Sequence, residues 1–190
     1  MALSLELITT TARSLLVQYG LQDVSMRRLA KELDVAPGAL YYHVPSKQEL
    51  LRSVAHEILS PLQQEPGDAL ELMLRFRELV LPLRDVGDLL LLAYALDESL
   101  PPARLLPERL IAAGWPQSSA EETSAVVMRF ALGAVATEQN QALLQGPAAT
   151  PRQVQNAQQA PHAQQAPHAQ QATAAERIYR RGLQKLLIRA

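Results

Sequence analysis

Between residues 25 and 47 the chain reads SMRRLAKELDVAPGALYYHVPSK, a stretch that gathers Ser25, Arg27, Arg28, Lys31, Tyr41, Tyr42, His43 and Lys47. Guanidinium, ammonium, hydroxyl and imidazole groups all donate hydrogen bonds, and together they suit an anionic partner such as a phosphate. Gly38 and Ala39 stand among them and are small, so a partner can come close to the backbone there. Nothing comparable for covalent or acid–base chemistry is present. The chain has no cysteine, which excludes disulfides, thiolate zinc sites and cysteine nucleophiles. It has no Gly-rich phosphate loop, no GxSxG and no HExxH, and His56-Glu57 reads as a solvated helix face. His162 and His168 fall in a repeat rather than a ligand pattern. The expectation is a protein that is not an enzyme and has no cofactor and no metal.

The elements that must position these residues follow from apolar spacing. Leu5, Ile8, Ala12, Leu15, Leu16 and Tyr19 recur at three and four, predicting a helix over 4–19 that Ser4 caps and Gly20 ends. Ser25 caps a helix over 26–34 with Met26, Leu29, Ala30 and Leu33 inward. Val35-Ala36 turns, and Pro37 opens a helix over 37–43 with Leu40 inward and Tyr41, Tyr42 and His43 mainly outward. Pro45 ends it, and Ser46-Lys47-Gln48-Glu49 is a capping box for a helix to Leu59.

Beyond a break at Pro61 and Pro66-Gly67 the pattern stays helical. Helices are expected over 68–83, over 86–98 (apolar on nearly all sides and therefore buried), over 103–113 after a break at Pro101-Pro102, and over 118–144 with a capping box from Ser118 or Ser119. AQQAPH repeats at 157–162 and 163–168, so 145–172 reads as a low-complexity loop. A last helix opens at the Thr173 to Glu176 capping box and runs to the C-terminus. No strand pattern appears. The fold class is all-α, with about nine helices: a helix-turn-helix domain over 1–61 and a helical ligand-binding and dimerisation domain over 62–190.

Two short helices joined by a tight turn define a helix-turn-helix, whose second helix can enter the DNA major groove. Ala39 would suit a thymine methyl, and Lys47 sits at a helix start, where an anion is welcome. Spacing alone leaves an ordinary corner of a helical protein equally open. Charge does not decide it. Net charge is −1, and the first 60 residues hold six positive groups (Arg13, Arg27, Arg28, Lys31, Lys47, Arg52) against six negative (Glu6, Asp23, Glu32, Asp34, Glu49, Glu57). The longest apolar run, Leu89 to Leu96, is far short of the roughly 20 residues that span a bilayer. No signal peptide is visible, so a soluble cytoplasmic protein without membrane contact is expected.

LAKELDVAPGALYYHVPSKQELL resembles the DNA-binding signature of the TetR family of bacterial repressors, and YYHVPSK is similar to its tetracycline-repressor branch. The resemblance covers residues 4–60. It implies that Ser25, Arg27, Tyr41, His43 and Lys47 occupy DNA-contacting positions, with Arg28, Pro37, Gly38, Ala39 and Tyr42 as neighbouring candidates. Residues 114–141 and 178–190 resemble the branch's paired dimerisation helices, implying a homodimer through 118–144 and 173–190. Where tetracycline–magnesium receptors carry a histidine and a glutamate, this chain has Arg129 and Thr137, which speaks against that ligand. A mostly apolar small-molecule effector is expected instead, lined from Leu72, Met73, Phe76, Leu92, Tyr94, Trp115, Met128, Arg129 and Phe130. The resulting expectation is a ligand-responsive repressor that binds a palindromic double-stranded DNA operator. The alternative is a helical adaptor or scaffold without DNA binding.

Overall fold

The computed structural model describes residues 3–145 and 173–188, and among them it contains nine α-helices and no strand. The helices are α1 (Leu5–Tyr19), α2 (Met26–Glu32), α3 (Pro37–His43), α4 (Lys47–Leu59), α5 (Ala69–Val80), α6 (Val86–Leu96), α7 (Pro101–Ala112), α8 (Gln117–Gln145) and α9 (Ala174–Leu186). The expected low-complexity loop lies, from residue 146 to 172, outside the described residues.

Most starts are fixed by side-chain caps, each supplying an acceptor to a backbone N–H that the helix itself leaves unpaired. Ser4, Ser25, Ser46 and Thr173 accept from the N–H three residues on, at 3.1–3.2 Å. At α5 the box is reciprocal: Asp68 accepts from Glu71 N at 2.8 Å, and Glu71 accepts from Asp68 N at 2.9 Å. At α4 only the forward half forms, because the Glu49 carboxylate turns to Arg52 at 2.6 Å.

Helices α1 to α3 pack on one another, and α4 runs from them into the body, touching α1 on one side and α6 on the other. In the body α8 is the central element, packed against α5, α6, α7 and α9. One apolar core runs without interruption from Ile8 in α1 to Leu183 in α9. Gln139 of α8 ties the α5–α6 corner: its amide nitrogen donates to Leu81 O at 3.0 Å and Leu83 O at 2.8 Å, and its oxygen accepts from Gly87 N at 2.8 Å.

Several boundaries differ from the sequence expectation. Pro101 and Pro102 do not break the chain but form the first turn of α7, where a missing N–H removes no helical hydrogen bond. Helix α8 begins at Gln117, ahead of both Ser118 and Ser119, so neither caps it. Helix α2 stops at Glu32 and α5 at Val80, shorter than their apolar spacing suggests. The α6 helix is not buried all round: Leu91, Leu92 and Leu96 face outward, with Leu92 51% exposed. An apolar composition does not force burial on both faces when only one face has a partner.

Candidate DNA-binding surface

The turn between α2 and α3 is closed by backbone hydrogen bonds. Asp34 takes the left-handed conformation (φ 53), Val35 N donates to Ala30 O at 3.0 Å, and Asp34 N donates to Lys31 O at 3.3 Å. These are the two closing bonds of a Schellman motif, with aspartate in the place glycine usually holds. Ala36 then leads into Pro37, whose fixed φ starts α3. Leu40 is fully enclosed and Val44 nearly so, which pins the helix by one face. Each such burial contributes about 1.5–3 kcal/mol.

The opposite face is open. Tyr42 is 88% exposed, and Tyr41 is about half exposed. His43 is half-buried, its ring set edge-on to Tyr42 with centroids 5.3 Å apart. Pro37 and Gly38 are exposed and Ala39 partly so. A Cβ built on Gly38 would meet nothing within 4 Å, so packing inside the chain does not require glycine here. Ser25 and Lys47 flank this face, Ser25 as the α2 cap and Lys47 as the exposed first residue of α4. Arg27 and Lys47 have no ion-pair partner among the described residues, whereas Arg28 lies 3.8 Å from Glu32 and stacks its guanidinium over Tyr19 at 5.0 Å. The structure thus brings the ten expected DNA-facing residues onto the α2–α3 unit and the start of α4.

The nine expected effector residues are spread more widely. Leu72, Met73 and Phe76 of α5 and Met128 of α8 are closed into the core, with Tyr94 of α6 at its edge. Leu92 points the other way. Trp115 lines a groove of about 530 Å³ with Leu70, Leu110, Gln184 and Leu187, between the ends of α5, α7 and α9. Arg129 and Phe130 line a different groove, of about 470 Å³, between α8 and α9, where Phe130 stacks on Tyr179 at 5.7 Å.

Sequence reasoning missed a charged knot beneath that groove. Arg77 of α5 is 8% exposed and donates to both Glu138 oxygens, at 2.7 and 2.9 Å. Its guanidinium lies 5.8 Å from the Tyr179 ring, and the Tyr179 hydroxyl donates to Met73 O at 2.9 Å. Burial pushes the Tyr179 hydroxyl well above the ordinary phenol range, so it stays a neutral donor. His56 has a partner as well as solvent: its side chain is 40% exposed, and it meets Asp97, the C-terminal cap of α6, at 2.9 Å. These partners lie 41 to 106 residues apart and leave no local signal. Among the described residues no group of three His, Cys, Asp or Glu could hold a metal ion, and no helix is long and apolar enough to cross a membrane.

Comparison with known proteins gives this geometry a family. Residues 8–54 match the bacterial regulatory proteins of the tetR family. A Haemophilus influenzae protein described as an uncharacterized HTH-type transcriptional regulator is 40% identical over 55 residues, which is 29% of this chain and 29% of that protein. The crystal structure of BioQ with its natural double-stranded DNA operator is 26% identical, covering 98% of this chain and 96% of its own, with a TM-score of 0.73. The TetR family protein ActR of Streptomyces coelicolor, solved in complex with (S)-DNPA, is 27% identical with a TM-score of 0.62, covering 74% of each chain. A DNA-binding helix-turn-helix domain on an all-helical body defines the class. SCO0253, a TetR-family transcriptional regulator from Streptomyces coelicolor, is 30% identical with a TM-score of 0.59, covering 74% of this chain and 86% of its own, and the chain belongs to the TetR family of transcriptional regulators.

Proposed function

We propose that this protein is a ligand-responsive regulator, acting as a repressor, that binds a palindromic operator as a homodimer and is released by a small, mostly apolar effector. The observation that carries the reading is the open face of α2 and α3. Arg27, Tyr41, Tyr42 and Lys47 are exposed there around a bare Gly38, and Arg27 and Lys47 have no ion-pair partner among the described residues. Dimerisation is supported by the outer face of α8 and α9, where Val126 and Ile178 are exposed beside Gly133. A two-fold pairing would set two α3 helices about 34–36 Å apart, or a multiple of this, to match successive major grooves. An effector that favours one arrangement of the body over another would change that spacing and so DNA affinity. The structures of BioQ with an operator and ActR with a small molecule support both halves of the reading. The protein then works by binding rather than catalysis, in the cytoplasm where the DNA lies.

A gel shift with the duplex upstream of the protein's own gene tests it. A retarded band at low salt is expected, and no band with that duplex overturns the operator reading. Lys47→Ala should weaken binding to all sequences alike, while Arg27→Ala should also narrow the gap between operator and random duplex.

A further inference from the structure

Arg27, Arg28 and Lys31 of α2, with Ser25, line a depression of about 330 Å³ that no acidic residue lines. Arg27 and Lys31 have no ion-pair partner among the described residues. Arg28 is held differently. Its Nε is enclosed and donates to no acceptor; the nearest Glu32 oxygen stands at 3.8 Å, beyond hydrogen-bond reach. Its guanidinium carbon lies 5.0 Å from the centre of the Tyr19 ring, at the end of α1. Glu32 offsets Arg28 in part from 3.8 Å, while Arg27 and Lys31 bring two further cations to the same depression, so the site still favours an added anion. The stacked Tyr19 ring, together with Glu32, holds the Arg28 plane in place.

The geometry points to a phosphate clamp on α2, one turn beyond Ser25 and Arg27, in which Arg28 and Lys31 grip the DNA backbone and Tyr19 is the positioning residue for Arg28. This rests on the reading of α2 and α3 as the DNA-binding unit, and it adds Lys31 and Tyr19 to that surface. Phosphate contacts carry no base information, so the clamp acts on every duplex equally. It also bears on the near-neutral charge of this region: affinity comes from cations gathered in one place, not from an overall field.

The test is fluorescence anisotropy of the full-length protein on its own upstream duplex and on a random-sequence duplex, across a salt series. Lys31→Gln and Arg28→Gln should each lower the slope of log K against log salt by about one on both duplexes, leaving the ratio between them unchanged. Tyr19→Phe keeps the ring and should bind as wild type, while Tyr19→Leu should lose roughly two- to fivefold in affinity. That loss should vanish when Arg28 is already glutamine, which a general packing defect would not do. Circular dichroism of each variant checks that α1 and α2 remain folded. If wild type binds and Lys47→Ala weakens it, but the Lys31 and Arg28 slopes stay at the wild-type value, the clamp is wrong and the DNA-binding reading stands. If wild type binds neither duplex at low salt, both fall.

Discussion

His56 Nε2 donates to Asp97 Oδ2 at 2.9 Å, joining the middle of α4 to the C-terminal cap of α6. At the other end of α6, the Asp85 carboxylate accepts from Leu21 N at 2.9 Å, just past the end of α1. Both caps break a local rule. Asp85 holds a left-handed backbone (φ 54) and makes no side-chain bond to its own helix, and Asp97 puts negative charge at the end of α6 where the helix dipole disfavours it. Both carboxylates instead reach the N-terminal helices, Asp97 at His56 of α4 and Asp85 at the turn after α1. The α6 strut is therefore fixed to them at two points, and α4 carries α3 directly behind it.

The Asp97 contact has a pH signature. Hydrogen bonds from the Ser99 hydroxyl (2.6 Å), then from His56 and the Ser99 backbone, hold its carboxyl down at about 2. A depressed native pKa contributes stability that is fully present above the unfolded value near 4 and is lost as pH falls through about 2. Solvent screens this partly exposed carboxyl, so the size is about 0.5–1 kcal/mol. Urea midpoints measured between pH 7 and 2 should fall at the acid end, and Asp97→Asn should lower the pH 7 value and flatten that part of the decline. An unchanged acid limb in Asp97→Asn would place the titration elsewhere.

The Arg77–Glu138 pair predicts an asymmetry. Removing Glu138 leaves a guanidinium that is 8% exposed with no carboxylate, so Glu138→Ala should cost about 3 kcal/mol. Removing Arg77 leaves a carboxylate whose side chain is 26% exposed and can turn to water, so Arg77→Met, which keeps the apolar stem, should cost about 1–2 kcal/mol. Urea unfolding of both variants measures the difference; equal losses would mean that the pair acts through packing alone.

What could be read beforehand divides along the range of the interactions. Ser25, Pro37 and Ser46 each act on neighbours within three residues, so the helix-turn-helix was legible, as was the outward set of Tyr41 and Tyr42. The Asp34 turn was not, because its left-handed residue is not the expected glycine. The body was legible as helices but not as a site. Leu72, Met73 and Phe76 have the composition of a ligand pocket and of an ordinary core alike, and Leu92 shares their chemistry while facing outward. Which face of α6 finds a partner is decided by α4 and α8, far away in the chain.

Helices α6 and α8 cross at Gly87. A Cβ there would stand 2.7 Å from Ala136 Cα and 2.9 Å from Ala136 N, both backbone atoms that cannot swing aside. Gly87→Ala should therefore push the helices apart and strain the Gln139 hydrogen bond to Gly87 N, costing about 1–3 kcal/mol despite alanine's better helix propensity. Thermal unfolding reads this, and a stability gain would show the crossing to be looser than it stands.

Gly133 of α8 presents the opposite case and tests the proposed dimer. Its missing Cβ would meet nothing within 4 Å in the single chain, on the face shared with Phe130, Thr137 and Ile178. In an isolated chain the Cβ of Gly133→Ala then meets no neighbour, and the substitution should raise helix stability by roughly 0.5–1 kcal/mol. In a dimer closed through α8 and α9 the same side chain fills the space the partner helix needs, and overpacking of this kind costs about 1–3 kcal/mol. Sedimentation should show the variant shifted toward monomer, with operator affinity falling alongside because half-sites are no longer bound as a pair. Sedimentation as an undiminished dimer with wild-type operator affinity would move the interface away from this face.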